Sequence, residues 1–171
     1  MKTRTIIPLL LLSTLFGCEG SGSELDKAKA RLTETKSCPG CQLNQADLSG
    51  AELTSADLSG AKLNDANLEG AKLNKANLSG AFLDSAKLNK ANLNAANLGG
   101  AGLTEANLSG ADLSGANLSG AYLKGADLKG AILNNANLTN ADLNAAKLEG
   151  AKLDGANLSG AIMPDGAIKK K

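Results

Sequence analysis

The chain has no histidine and no tryptophan among its 171 residues, and Phe16, Phe82 and Tyr122 are its only aromatics. Histidine is the commonest general base and metal ligand, so its absence removes Ser-His-Asp and Cys-His nucleophilic sites and every His-based zinc site. No convergent acid, base and nucleophile replace it, so the expectation is no enzyme activity, no cofactor and no metal. Charge of one sign is also missing: 18 basic residues stand against 17 acidic ones. Without residues 1 to 17, which contain Lys2 and Arg4, the balance is 16 basic to 17 acidic, or −1. That balance indicates neither a nucleic-acid partner nor imitation of nucleic acid by charge, and no small-molecule substrate is identified.

Apolar residues make up 43% of the chain, which alone would suggest an ordinary globular core. From residue 41 onward, however, Ala, Leu, Asn and Gly dominate, and such bias marks a repeat. Residues 41 to 165 divide into 25 consecutive five-residue units without insertion. The first position is Ala in every unit from Ala46 to Ala161, and the third is Leu in every unit from Leu43 to Leu158, with Met163 closing. Cys38 falls in the Leu phase and Cys41 in the Ala phase, and Gly166-Ala167-Ile168 keeps the phase at the other end.

An α-helix cannot use this period, because five residues advance about 500° and successive Leu residues would spread around the whole cylinder. A continuous strand fails as well, since an odd period puts successive Leu residues on opposite faces. A short extended Ala-x-Leu piece, with Ala and Leu on one side, followed by a two-residue corner satisfies the pattern. Each unit is then one side of a coil. Four quarter-turn corners close the coil, and residue n lies beneath residue n+20. Gly50, Gly60, Gly70 and Gly80 at the fifth position suit corners that need positive φ, where Gly or another small residue is expected.

Units such as Ala76-Asn77-Leu78-Ser79-Gly80 resemble the motif A-(N/D)-L-x-x of the pentapeptide-repeat family, and the resemblance covers residues 41 to 165. It implies an all-β fold, a right-handed quadrilateral β-helix of about six coils. Leucine-rich repeats, with periods of about 20 to 29 residues and unequally spaced Leu, lack this strict beat. Some members of the family resemble DNA in shape and negative charge and protect type II topoisomerases, but the charge balance here lacks their acidity.

The N-terminal segment has a different composition. Residues 1 to 17 read as a cleavable signal peptide, with Lys2 and Arg4 before an apolar stretch too short to span a bilayer. Leu15-Phe16-Gly17-Cys18 resembles the lipobox of bacterial lipoproteins, with Phe16 where a smaller residue is usual. That resemblance implies lipidation of Cys18 and a membrane partner held by several acyl chains, which anchor durably where one holds only marginally. The competing reading is an ordinary secretory signal with an incidental cysteine. Glu19 is not the Asp that retains many lipoproteins in the inner membrane, so the resemblance implies the outer membrane, facing the periplasm. Residues 18 to 23 would be a flexible linker.

Ser23-Glu24-Leu25-Asp26 carries an N-cap Ser with an acid three residues on, and Leu25, Ala28 and Leu32 share one face. A helix over residues 24 to 35 is expected, capping the open end of the solenoid within a segment 24 to 40 that includes Cys38-Pro39-Gly40-Cys41. A redox pair would need a βαβ setting, and zinc would need two further soft ligands. A structural disulfide between Cys38 and Cys41, or two packed thiols, is the remaining reading. Residues 166 to 171 form a C-terminal tail.

Stacking by 20 sorts the outward positions into columns. One face collects Asp57, Asn77, Asn97, Asn117, Asn137 and Asn157, with mostly Ser or Thr two residues on. It reads either as a hydrogen-bonding surface for polysaccharide, for ice or for another subunit, or as side chains that satisfy nearby backbone groups. Another column runs Gln42, Lys62, Phe82, Gly102, Tyr122, Asp142 and Ile162. Phe82, Gly102, Tyr122 and Ile162 are the candidate interaction surface, an exposed apolar stripe with a slot at Gly102. The remaining faces mix Lys with Asp and Glu, as solvated surfaces do. The leading expectation is a lipid-anchored envelope protein acting as a structural or protein-interaction module, with a protein partner or a homodimer. A ligand-binding module for polysaccharide or ice is the second, and a DNA-mimic topoisomerase-protecting protein, if the chain is not exported, the third.

Overall fold

The computed structural model describes residues 23–170. The expected signal peptide of residues 1 to 17, the lipidation site Cys18 and nearly all of the 18 to 23 linker lie outside the described residues.

Helix α1 spans Glu24–Thr35. Ser23 caps it reciprocally: the Asp26 N–H donates to Ser23 Oγ at 3.1 Å, and the Ser23 N–H donates to Asp26 Oδ2 at 3.1 Å. At the other end Lys36, in the left-handed region, donates its N–H to the Leu32 carbonyl at 3.0 Å. Twelve residues are marginal as an isolated helix, so tertiary packing must hold α1. Leu32 is fully buried, and Leu25 and Ala28 pack partly buried against the end of the repeat core.

The repeat forms a solenoid of single-residue parallel bridges, each pairing residue n with residue n+20, from Ser37↔Asp57 to Asp142↔Ile162. Ladder pairing thus begins at Ser37, four residues before the boundary set at residue 41, so Cys38-Pro39-Gly40 belongs to the first coil as well as to the cap. The signal was the phase of Cys38, which the structure places fully buried in the Leu column. Cys38 and Cys41 are joined as a disulfide.

One unit shows how the others are built. The Asn117 N–H reaches down to the Ala96 carbonyl at 2.9 Å, while the Leu118 N–H reaches up to the Asn137 carbonyl at 2.7 Å and the Gly120 N–H to the Thr139 carbonyl at 2.9 Å. A corner closes with the Ala121 N–H on the Leu118 carbonyl at 3.0 Å. Four of the five N–H groups are therefore satisfied by backbone. Inside, Ala and Leu alternate in fully buried columns from Ala56 to Leu138, and no polar or charged residue is buried among the described residues.

The fifth position carries positive φ, as expected, but not only in small residues: Lys75, Lys90 and Glu105 adopt it at 59°, 58° and 56°. A left-handed residue with a Cβ costs about 1–2 kcal/mol. Their side chains leave from the corner into solvent, so no steric clash adds to that cost, and the corner hydrogen bond offsets part of it.

The C-terminal residues, read only as a tail, fold back on the last coil. Ile168 pairs antiparallel with Ile162, the Lys169 N–H donates to the Ala161 carbonyl at 2.8 Å, and the Gly160 N–H donates to the Lys169 carbonyl at 2.8 Å. One side of that end is thereby covered. The N–H groups of Leu148 and Leu153 on neighbouring sides have no backbone acceptor among the described residues.

Candidate interaction surface

The fourth position of each unit is the one whose N–H the backbone ladder leaves over, and a buried or half-buried donor needs an acceptor. Where the second position is Asn or Asp, its side chain reaches forward two residues and supplies one. Asp57 Oδ1 accepts from the Ser59 N–H at 3.1 Å, Asn117 Oδ1 from the Ser119 N–H at 3.2 Å, and Asn137 Oδ1 from the Thr139 N–H at 3.2 Å. On the asparagine face these side chains also bond to each other between coils. Asn77, Asn97, Asn117 and Asn137 each donate from Nδ2 to the Oδ1 of the residue below, at 2.9 to 3.2 Å. Ser59, donating through side chain and backbone, holds the Asp57 carboxyl below its ordinary 3.8, and Ser49 does the same for Asp47.

The column from Lys62 to Tyr122 has no such acceptor at its second positions. The fourth positions of the coil below take over: Asn44 Oδ1 accepts from the Asn64 N–H at 3.1 Å, Asn64 Oδ1 from the Asp84 N–H at 3.1 Å, and Asp84 Oδ1 from the Thr104 N–H at 2.8 Å. Asn134 does the same for Asp154, whose unit has Lys152 at its second position. Relieved of the backbone task, the second positions of two of these units carry Phe82 and Gly102, and Tyr122 follows one coil above.

Phe82 and Tyr122 are 48% and 59% exposed and stand two coils apart, with Gly102 between them. A groove of about 330 Å³ opens there, lined by both rings, Gly80, Gly100, Gly102, Thr104 and Asp84. The Asp84 carboxylate faces the bare position: a Cβ on Gly102 would stand 3.2 Å from its Oδ1 and 3.6 Å from its Oδ2. Ile162 does not extend this surface. Asp142 separates it from Tyr122, and Ile162 is half-buried under the returning tail, so the expected continuous stripe ends at Tyr122. Asp84 and Thr104 were missed because only second positions of this column were stacked. Applying the same 20-residue step to its fourth positions would have placed them beside the slot.

Cys38 and Cys41 sit at the opposite end, beneath α1, where the Cys38 sulfur lies 3.5 Å from the Ala28 carbonyl. Among the described residues no group of His, Cys, Asp or Glu is arranged to hold a metal ion. No helix among them is long and apolar enough to cross a membrane.

Comparison with known proteins agrees with this construction. No curated protein matches the chain. Among solved structures it is similar to HetL, a pentapeptide repeat protein involved in heterocyst differentiation regulation from the cyanobacterium Nostoc sp. strain PCC 7120, at 37% identity over 78% of this chain and 76% of that one, with a TM-score of 0.46. It is also similar to a pentapeptide repeat protein of the Arabidopsis thaliana thylakoid lumen, at 36% identity over 57% of this chain and 68% of that one, with a TM-score of 0.54. A more distant likeness is to QnrB1, a plasmid-mediated fluoroquinolone resistance protein, at 26% identity over 71% of this chain and 69% of that one, with a TM-score of 0.31. The family model for pentapeptide repeats matches in 8 copies whose segments run from residue 37 to residue 160, and the chain belongs to the pentapeptide-repeat family.

Proposed function

We propose that the chain is a lipid-anchored envelope protein whose solenoid is a structural and protein-interaction module, meeting a partner protein or a second copy through the Phe82 and Tyr122 face. The observation that carries the contact reading is the exposure of both rings across one groove, on a molecule whose other outward side chains are polar, small or charged with few exceptions. Aromatics left half in water around a concavity are typical of contact surfaces. The reading takes the solenoid as right-handed and, at 20 residues per coil over 25 units, as about six coils long.

The anchor rests on Leu15-Phe16-Gly17-Cys18 and on the basic, apolar segment before it. Outer-membrane attachment facing the periplasm follows from Glu19 after the cysteine. The polysaccharide or ice reading has less support, because the Oδ1 acceptors of the asparagine face are occupied by backbone and neighbouring amides. A DNA mimic would need a chain that stays in the cytoplasm and a surface with far more acid than 17 carboxylates against 18 basic groups.

Labelled palmitate should enter the wild type and not Cys18→Ser, and the variant should leave the membrane fraction. A wild type that is soluble, with a free N-terminus after residue 18, ends the lipoprotein reading.

A further inference from the structure

We infer that the groove between Phe82 and Tyr122 is a cation site that takes the guanidinium of an arginine side chain from a partner protein. The inference rests on the reading of this face as a contact surface, and names what the contact recognises.

Its first support is a charge that the fold does not need. Asp84 accepts the Thr104 N–H through Oδ1, but Asn44, Asn64 and Asn134 perform the same task elsewhere as neutral amides. A carboxylate here adds a negative charge and leaves Oδ2 with no hydrogen-bond donor among the described residues. Both oxygens face the space that Gly102 leaves empty.

Geometry supplies the second support. Gly102 lies one coil, about 4.8 Å, from the residue that carries each ring, and both rings line the groove, so a cation seated there has an aromatic on either side. A neutral occupant would cover the Asp84 carboxylate and desolvate it without compensation. A guanidinium compensates it, and its flat fork can meet a carboxylate and an aromatic ring at once, which a lysine ammonium does less well. The surrounding charges do not oppose this: Lys62, Lys124 and Glu105 are exposed, and none of them lines the groove, where Asp84 is the one charged residue.

Tyr122 is the only tyrosine, and there is no tryptophan, so its emission reports this groove without interference. Detergent-solubilised full-length protein should be titrated with N-acetyl-arginine amide and, separately, with its neutral citrulline counterpart and with tetramethylammonium. The arginine probe should change Tyr122 emission and the Phe82 ring resonances saturably in the millimolar range, with citrulline much weaker. Asp84→Asn, which keeps the Thr104 bond, should weaken arginine binding at least about fivefold. Equal response to citrulline, no saturable response, or an unchanged Asp84→Asn would overturn the inference, and tighter binding of tetramethylammonium would reassign the groove to a small organic cation. If the arginine probe fails while replacing both rings by serine still abolishes self-association or partner capture, the contact face stands and only its cation is wrong.

Discussion

The asparagine face and the aromatic face are built on the same coils and solve the same problem in opposite ways. On the asparagine face each unit satisfies its own fourth N–H, with Asn117 serving Ser119 and Asn137 serving Thr139, and the amides then zip together between coils. On the aromatic face the acceptor comes from the coil below, with Asn64 serving Asp84 and Asp84 serving Thr104. The first arrangement ties up every second position in structure. The second frees those positions for Phe82 and Gly102. A repeat surface becomes available for recognition where the backbone's demand has been moved to another residue.

Breaking the asparagine face should have the largest effect on stability. Asn117→Ala removes the acceptor of the Ser119 N–H and both of Asn117's links to Asn97 and Asn137, and should cost about 1–3 kcal/mol in denaturant unfolding. A cost indistinguishable from zero would mean that water replaces the ladder freely.

The transfer of the backbone task is open to a rescue experiment. Asp84→Ala should cost about 1 kcal/mol through the Thr104 N–H, and Gly102→Asn placed in the same chain should recover most of it by supplying an acceptor within the unit. Failure of the rescue, with Asp84→Ala itself destabilising, would show that Asp84 acts through something other than Thr104.

Replacing Phe82 and Tyr122 together by serine should change stability by less than about 0.5 kcal/mol, since both rings are half-exposed. Self-association or partner capture, read by sedimentation and crosslinking in envelope membranes, should nevertheless fall. If both readouts match the wild type, the contact surface lies elsewhere.

The smallest effect concerns acid. Asp57 has a carboxyl held below its ordinary 3.8, first by the Ser59 side chain and then by the Ser59 N–H. A carboxylate with a lowered folded value contributes stability that is present above the ordinary value and is lost as pH falls through the lowered one. Asp57→Asn keeps an acceptor but cannot titrate, so its unfolding free energy should fall slightly less steeply below pH ~4 than that of the wild type. Parallel curves would remove Asp57 from the acid response.

Much of this was legible in the five-residue beat. The inward columns, the n+20 register and the bounds of α1 follow from Ala, Leu and the Ser23 cap, because burial and capping leave one arrangement that satisfies them. Positions governed by hydrogen-bond accounting were less legible. Asp84 looks like one more surface acid until the acceptor missing at Phe82 and Gly102 is noticed. The returning tail was hidden for another reason: Ile168 pairs antiparallel with Ile162, against the parallel order everywhere else in the solenoid, and no periodicity marks such a reversal.

The 20-residue register gives changes of length two different meanings. Insert five residues between Phe82 and Tyr122, in phase, and every Leu still points inward and every corner still closes, yet all that follows turns by one side. Tyr122 would then share a face with Asn67 instead of Phe82. Insert four units and the faces realign, with the rings one storey further apart. The core cannot distinguish the two insertions, whereas a partner that spans coils can, so a lineage of such proteins could keep its fold through gains and losses of single units while its recognition surface is dealt anew each time.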